Sequence, residues 1–86
     1  MAEWPEWWHW ELRLSPHALR RMVDRRFTET DLRLMLDDAG GYGQNHEPGR
    51  WFIRTFHDHR PWEVIVEPLP DEHVLLVITA YPLGFS

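Results

Sequence analysis

His17, Arg21 and Arg25 recur every four residues in the run Ser15-Pro16-His17-Ala18-Leu19-Arg20-Arg21-Met22-Val23-Asp24-Arg25, and side chains at that spacing share one edge of a helix. A neutral imidazole can take up a proton, and guanidinium groups hold phosphate through paired N–H donors. Cleavage of RNA without a metal needs a base for the ribose 2′-hydroxyl, cations for the charge developing on phosphate, and an acid for the departing 5′-oxygen. This edge supplies the first two. The same spacing also describes an exposed, ion-paired helix surface with His17 beside its cap, and spacing alone does not separate the two readings.

The elements that would position these groups are legible locally. Ser15 is a strong N-cap, and Pro16 suits the first helical position, where a missing N–H costs nothing. At about 100° per residue, Ala18, Leu19, Met22 and Val23 fall on one side and define the expected buried face, with His17 opposite and Arg20 flanking the stripe. A second helix is expected from Thr28, with Asp31 completing a capping box. Its core positions are Leu32, Met35, Leu36 and Ala39, and Gly40-Gly41 ends the run.

Beyond the glycines the pattern changes to strands. Arg50 to His57, Trp62 to Glu67 and His73 to Tyr81 are rich in β-branched and aromatic residues, separated by Glu47-Pro48-Gly49, Asp58-His59-Arg60-Pro61 and Pro68-Leu69-Pro70-Asp71. A short fourth strand fits around Tyr42 to His46. Val74 to Ile78 is apolar on both faces, which predicts an interior strand with helices against one side. The expected fold is α+β: two N-terminal helices followed by a curved antiparallel sheet of three to four strands. It forms a single domain over 1–86, divided into a tryptophan-rich segment (1–13), the helices (14–41) and the sheet (42–86).

Trp4, Trp7, Trp8 and Trp10 crowd the start among Glu3, Glu6 and Glu11, too many large aromatics for a solvated tail. Trp4, Trp7 and Trp8 match helical spacing, whereas Trp8, Trp10 and Leu12 match a strand. The segment reads as a flap over the core or as an anchor for a partner protein.

The net charge of −5 opposes general affinity for nucleic acid, which is driven by cation-for-counterion exchange. The distribution is uneven. From Leu12 to Leu36 the arginines at 13, 20, 21, 25, 26 and 33 outnumber Asp24, Glu29 and Asp31, so positive charge coincides with the candidate site. The absence of cysteine excludes a thiolate nucleophile and a disulfide framework, and a cytoplasmic setting is the plain expectation. No apolar run approaches the roughly 20 residues of a membrane span, and no signal peptide is apparent.

The sheet offers further candidates. Arg54 alternates with Phe52 and Phe56, as a stacked surface residue or a phosphate clamp, and Thr79 and Tyr81 share a face of the last strand, where Tyr81 could donate a proton. His57 and His59 flank Asp58, with His46 and His73 elsewhere, but no third ligand is specified, and a solvated turn is the expectation rather than a metal site.

The motif His17-x-x-x-Arg21-Met22-x-x-Arg25, a capped helix, and strands ending Val77-Ile78-Thr79-Ala80-Tyr81-Pro82 together resemble the domain of unknown function 4258 family over residues 14–84. That family is similar to the RelE-like, barnase-like ribonuclease toxins. The resemblance implies metal-independent action on RNA, no cofactor, and an antitoxin or immunity protein as partner. It matches His17, Arg21, Arg25, Thr79 and Tyr81 to the family pattern. Arg26 departs from it, because a glycine commonly follows the second arginine and closes the helix in a left-handed turn. The expected function is therefore a toxin-like endoribonuclease: His17 as base, Arg21 and Arg25 on phosphate with help from Arg20 or Arg54, and Tyr81 or Thr79 at the leaving group. A non-enzymatic module binding a partner through its tryptophans, or an inactive relative, is the alternative.

Overall fold

The computed structural model describes residues 5–83; Trp4 lies outside them. A 3-10 turn, Glu6–His9, leads into β1 (Glu11–Leu14), followed by α1 (Pro16–Arg25), α2 (Glu29–Asp37), β2 (Gly41–Gln44), β3 (Trp51–His57), β4 (Arg60–Leu69) and β5 (Val74–Pro82). The strands form one sheet in the order β1-β5-β4-β3-β2. β2 to β5 make the expected antiparallel meander, whereas β1 pairs parallel with β5, from Glu11↔Val74 to Leu14↔Val77.

This corrects the expected architecture of two N-terminal helices followed by an antiparallel sheet of three to four strands. The sheet has five strands and is mixed, and a strand precedes the helices. β1 alternates half-buried Leu12 and Leu14 with exposed Glu11 and Arg13. Four residues of alternation are too few to announce a strand when the partner lies some sixty residues downstream.

Both helices cover one face of the sheet. Ala18, Met22, Phe27, Leu32 and Met35 share a core with Ile53, Trp62, Val64, Val66, Leu75, Val77 and Ala80. Strand alternation therefore places Phe52, Arg54, Glu63, Thr79 and Tyr81 on the opposite face, which carries no helix among the described residues. A bulge between Ile65 and Val66 shifts the β4–β5 register, which is why Val77 and Ala80, three residues apart, both reach the core. Pro68 fits in β4 because β3 begins at Trp51, opposite Val66, so no β3 residue is paired with Pro68 to require its N–H.

The described part of the tryptophan-rich segment belongs to the fold. Trp7 is only 8% exposed and packs against Tyr42 and Trp51 at ring separations of 6.1 and 5.6 Å. Trp10 stacks on His73 at 4.8 Å with the rings 10° apart.

α1 is rolled relative to its expected orientation. Leu19 and Val23, assigned to the buried face, are 48% and 77% exposed, and only Ala18 and Met22 are buried. The helix ends on Arg26 with φ 58° and ψ 48°, the left-handed cap that glycine fills at no steric cost. Asp58 and His59 take φ of 55° and 65° between the paired His57 and Arg60, as a two-residue type I′ hairpin requires.

With His73 at φ 52°, four non-glycine residues among those described thus occupy conformations that disfavour a Cβ. Arg26→Gly and His59→Gly should each raise stability by roughly 0.5–1 kcal/mol, the left-handed penalty less the added entropy of the unfolded chain. Thermal or urea unfolding of the single variants checks this, and an unchanged or lowered midpoint counts against it.

Candidate active site

Ser15 fixes the start of α1 in three ways. Its Oγ accepts from the Ala18 N–H at 3.0 Å and donates to the Ile78 carbonyl at 2.9 Å, and its N–H donates to the Val77 carbonyl at 3.0 Å. The first turn of the helix, which carries His17, is therefore tied to β5 where the β1 pairing ends. One turn on, Arg21 Nε donates to His17 Nε2 at 3.4 Å, the long end of the hydrogen-bond range. His17, Arg20 and Arg25 are exposed and Arg21 is half-buried.

Charge pairing divides the arginines. Arg13, Arg33, Arg50 and Arg54 each meet a carboxylate, from Glu72, Glu29, Glu67 and Glu63 respectively. Among the described residues Arg20, Arg21, Arg25, Arg26 and Arg60 meet none. Four of these five lie on α1 and its cap, where Asp24 is the only acid, and Arg60 opens β4.

The sheet candidates form a second group. Arg54, Glu63 and Tyr81 lie opposite one another across β3, β4 and β5. Tyr81 donates its hydroxyl to Glu63 at 2.8 Å, and Arg54 Nε lies 3.4 Å from the other oxygen of a carboxylate whose side chain is only 13% exposed. Arg54 also sits over the Phe52 ring at 5.3 Å. Burial first, then the hydrogen bond to Glu63 and its negative charge, push the Tyr81 hydroxyl up to about 12, with Arg54 opposing. Thr79 occupies the same face, half-buried.

The structure therefore brings His17 together with Arg21, and Arg54 together with Tyr81, but no hydrogen bond or ion pair among the described residues links the two groups. They belong to opposite faces of the sheet. Glu63, which holds the second group, was not among the sequence candidates. Its pairing with Arg54 follows from a two-residue turn at Asp58-His59, from which the two positions are equidistant. Arg26, counted in the positive stretch of the sequence but given no site role there, joins the unpaired cations. Among the described residues no cluster of histidine and carboxylate side chains is fit to hold a metal.

A capped helix bearing histidine and uncompensated arginines is thus set on a five-stranded mixed sheet. Residues 14–82 match the family described as Domain of unknown function (DUF4258), and the chain belongs to that family. No curated protein and no solved structure matches it significantly.

Because the folded Tyr81 titrates above the ordinary value of 10.0, its contribution to stability is complete below about pH 10 and is lost as pH rises through about 12. Glu63→Gln should lower this titration, though not fully, since burial is the larger cause. Tyrosinate absorbance in a Tyr42→Phe background isolates Tyr81. Titration near 10 in the parent chain would contradict the arrangement.

Proposed function

We propose that the chain is a toxin-like endoribonuclease that cleaves RNA without a metal, with its active surface on α1. One observation carries this: the four arginines of α1 and its cap have no carboxylate partners among the described residues, and one of them, Arg21, meets His17. Phosphate is the ligand that guanidinium groups left unpaired on one helix suit best.

When RNA binds, Arg21 exchanges the imidazole for a phosphate oxygen, which frees Nε2 of His17. His17 then takes the proton of the ribose 2′-hydroxyl. The 2′-oxygen bonds to phosphorus, the bond from phosphorus to the 5′-oxygen breaks, and the proton carried by His17 returns to the departing oxygen. The products are a 2′,3′-cyclic phosphate and a 5′-hydroxyl. Arg21 and Arg25 stabilise the added charge on phosphorus, and Arg20 binds the flanking backbone. A leaving-group role for Tyr81 has less support, because its hydroxyl is engaged by Glu63 on the opposite face. An antitoxin covering α1 is the partner this reading calls for, in the cytoplasm where RNA is available. Among the described residues no helix is long and apolar enough to cross a membrane.

The purified chain should cleave single-stranded RNA in the presence of a chelator. His17→Ala should reduce the rate by about 10²–10⁴-fold and Arg21→Ala by about 10²–10³-fold, whereas Arg54→Ala leaves it unchanged. Equal cleavage by the parent chain and both α1 variants, or loss of activity with the chelator, overturns the assignment.

Replacing Ser15 by alanine removes the helix cap and one tie to β5 together. A loss of about 1–2 kcal/mol in stability is expected, with RNA cleavage reduced below that of the parent at a temperature where the variant is still folded. Retention of full activity would show that His17 is positioned by other contacts.

A further inference from the structure

We propose that the cleft between the tryptophan-rich segment and α2 binds an arginine side chain of a partner protein. The cleft has a volume of about 200 Å³, below the 300–1,000 Å³ typical of small-molecule pockets and suited to one side chain. Trp8, Trp10 and Leu36 form apolar walls, and His9, Arg33 and Asp37 supply the polar side.

Asp37 decides the sign of the ligand. It is the last residue of α2, whose final turn contains no basic residue, so its carboxylate sits at the negative end of the helix dipole beside Asp38. Among the described residues it has no hydrogen-bond or ion-pair partner. Arg33, one turn earlier, is already bonded to Glu29 at 2.8 Å and does not neutralise it. The cleft therefore presents an uncompensated carboxylate in a lining shared with the indoles of Trp8 and Trp10. A cation is favoured there by charge and by the indole faces together.

A guanidinium fits better than an ammonium, because it is planar, stacks on aromatic rings and can bond both oxygens of a carboxylate. Phosphate is repelled by Asp37. The net charge of −5 also steers a basic partner toward this chain. Trp10 is held in the wall by its stack on His73, so the site is formed before the ligand arrives.

The test titrates Nα-acetylarginine methylamide, the lysine equivalent and adenosine 5′-monophosphate into the full chain, following the indole N–H resonances of Trp8 and Trp10. The arginine probe should shift both signals, the lysine probe should do so more weakly, and the nucleotide should leave them in place. Asp37→Asn should weaken arginine binding on the order of tenfold or more. Its unfolding midpoint should be unchanged or raised, since the substitution relieves the helix end. Trp10→Phe, which keeps a ring against His73, should weaken binding less than Asp37→Asn. Equal binding by Asp37→Asn, no shift with the arginine probe, or shifts produced by the nucleotide instead would overturn the proposal. Binding should persist in His17→Ala, so this site and the nuclease reading stand or fall separately.

Discussion

Ser15, the single residue between β1 and α1, joins both to β5, some sixty residues downstream. Its side chain closes the first turn of α1 and bonds a carbonyl of β5, while its backbone continues the parallel pairing of β1. A helix start leaves several N–H groups without partners, and burial beside a sheet would make them costly. Using one hydroxyl both as cap and as donor to the strand meets that need and fixes the helix against the sheet. The position of His17, two residues on, follows from this joint, as does the roll of α1 that buries Ala18 and Met22 and exposes Leu19 and Val23.

That roll determines the electrostatics. With Ala18 at the centre of the contact, Arg21 and Arg25 flank the buried stripe on one side and the apolar Leu19 and Val23 lie on the other. Arg13, Arg33, Arg50 and Arg54 are near carboxylates, mostly across a strand pair or one helical turn away, and surface pairs of that kind contribute little to stability. What they do is cancel charge. An acidic chain thereby keeps a concentrated positive patch on one helix, while the helix-free face of the sheet carries the paired Arg54, Glu63 and Tyr81.

The N-terminal tryptophans serve two ends that composition alone could not apportion. Trp7 is core, filling the space beside Tyr42 and Trp51, which favours the reading of the segment as a covering flap. Trp8 and Trp10 are only half-buried and border an open cleft. One short segment thus completes the core with one indole and shapes surface with the next two.

Local chemistry in the sequence determined the cap at Ser15, the capping box of Thr28 and Asp31, the i, i+4 approach of His17 and Arg21, the antiparallel meander and its turns. Each depends on residues within a few positions of one another, so composition and spacing suffice. Tertiary structure alone decided the parallel docking of β1 on β5, the roll of α1, the face on which Arg54 and Tyr81 emerge relative to His17, and the partnership of Tyr81 with Glu63. These depend on pairings between distant segments, whose register is set by the total burial achieved rather than by any local pattern. A bulge of one residue in β5 is enough to change which side chains reach the core.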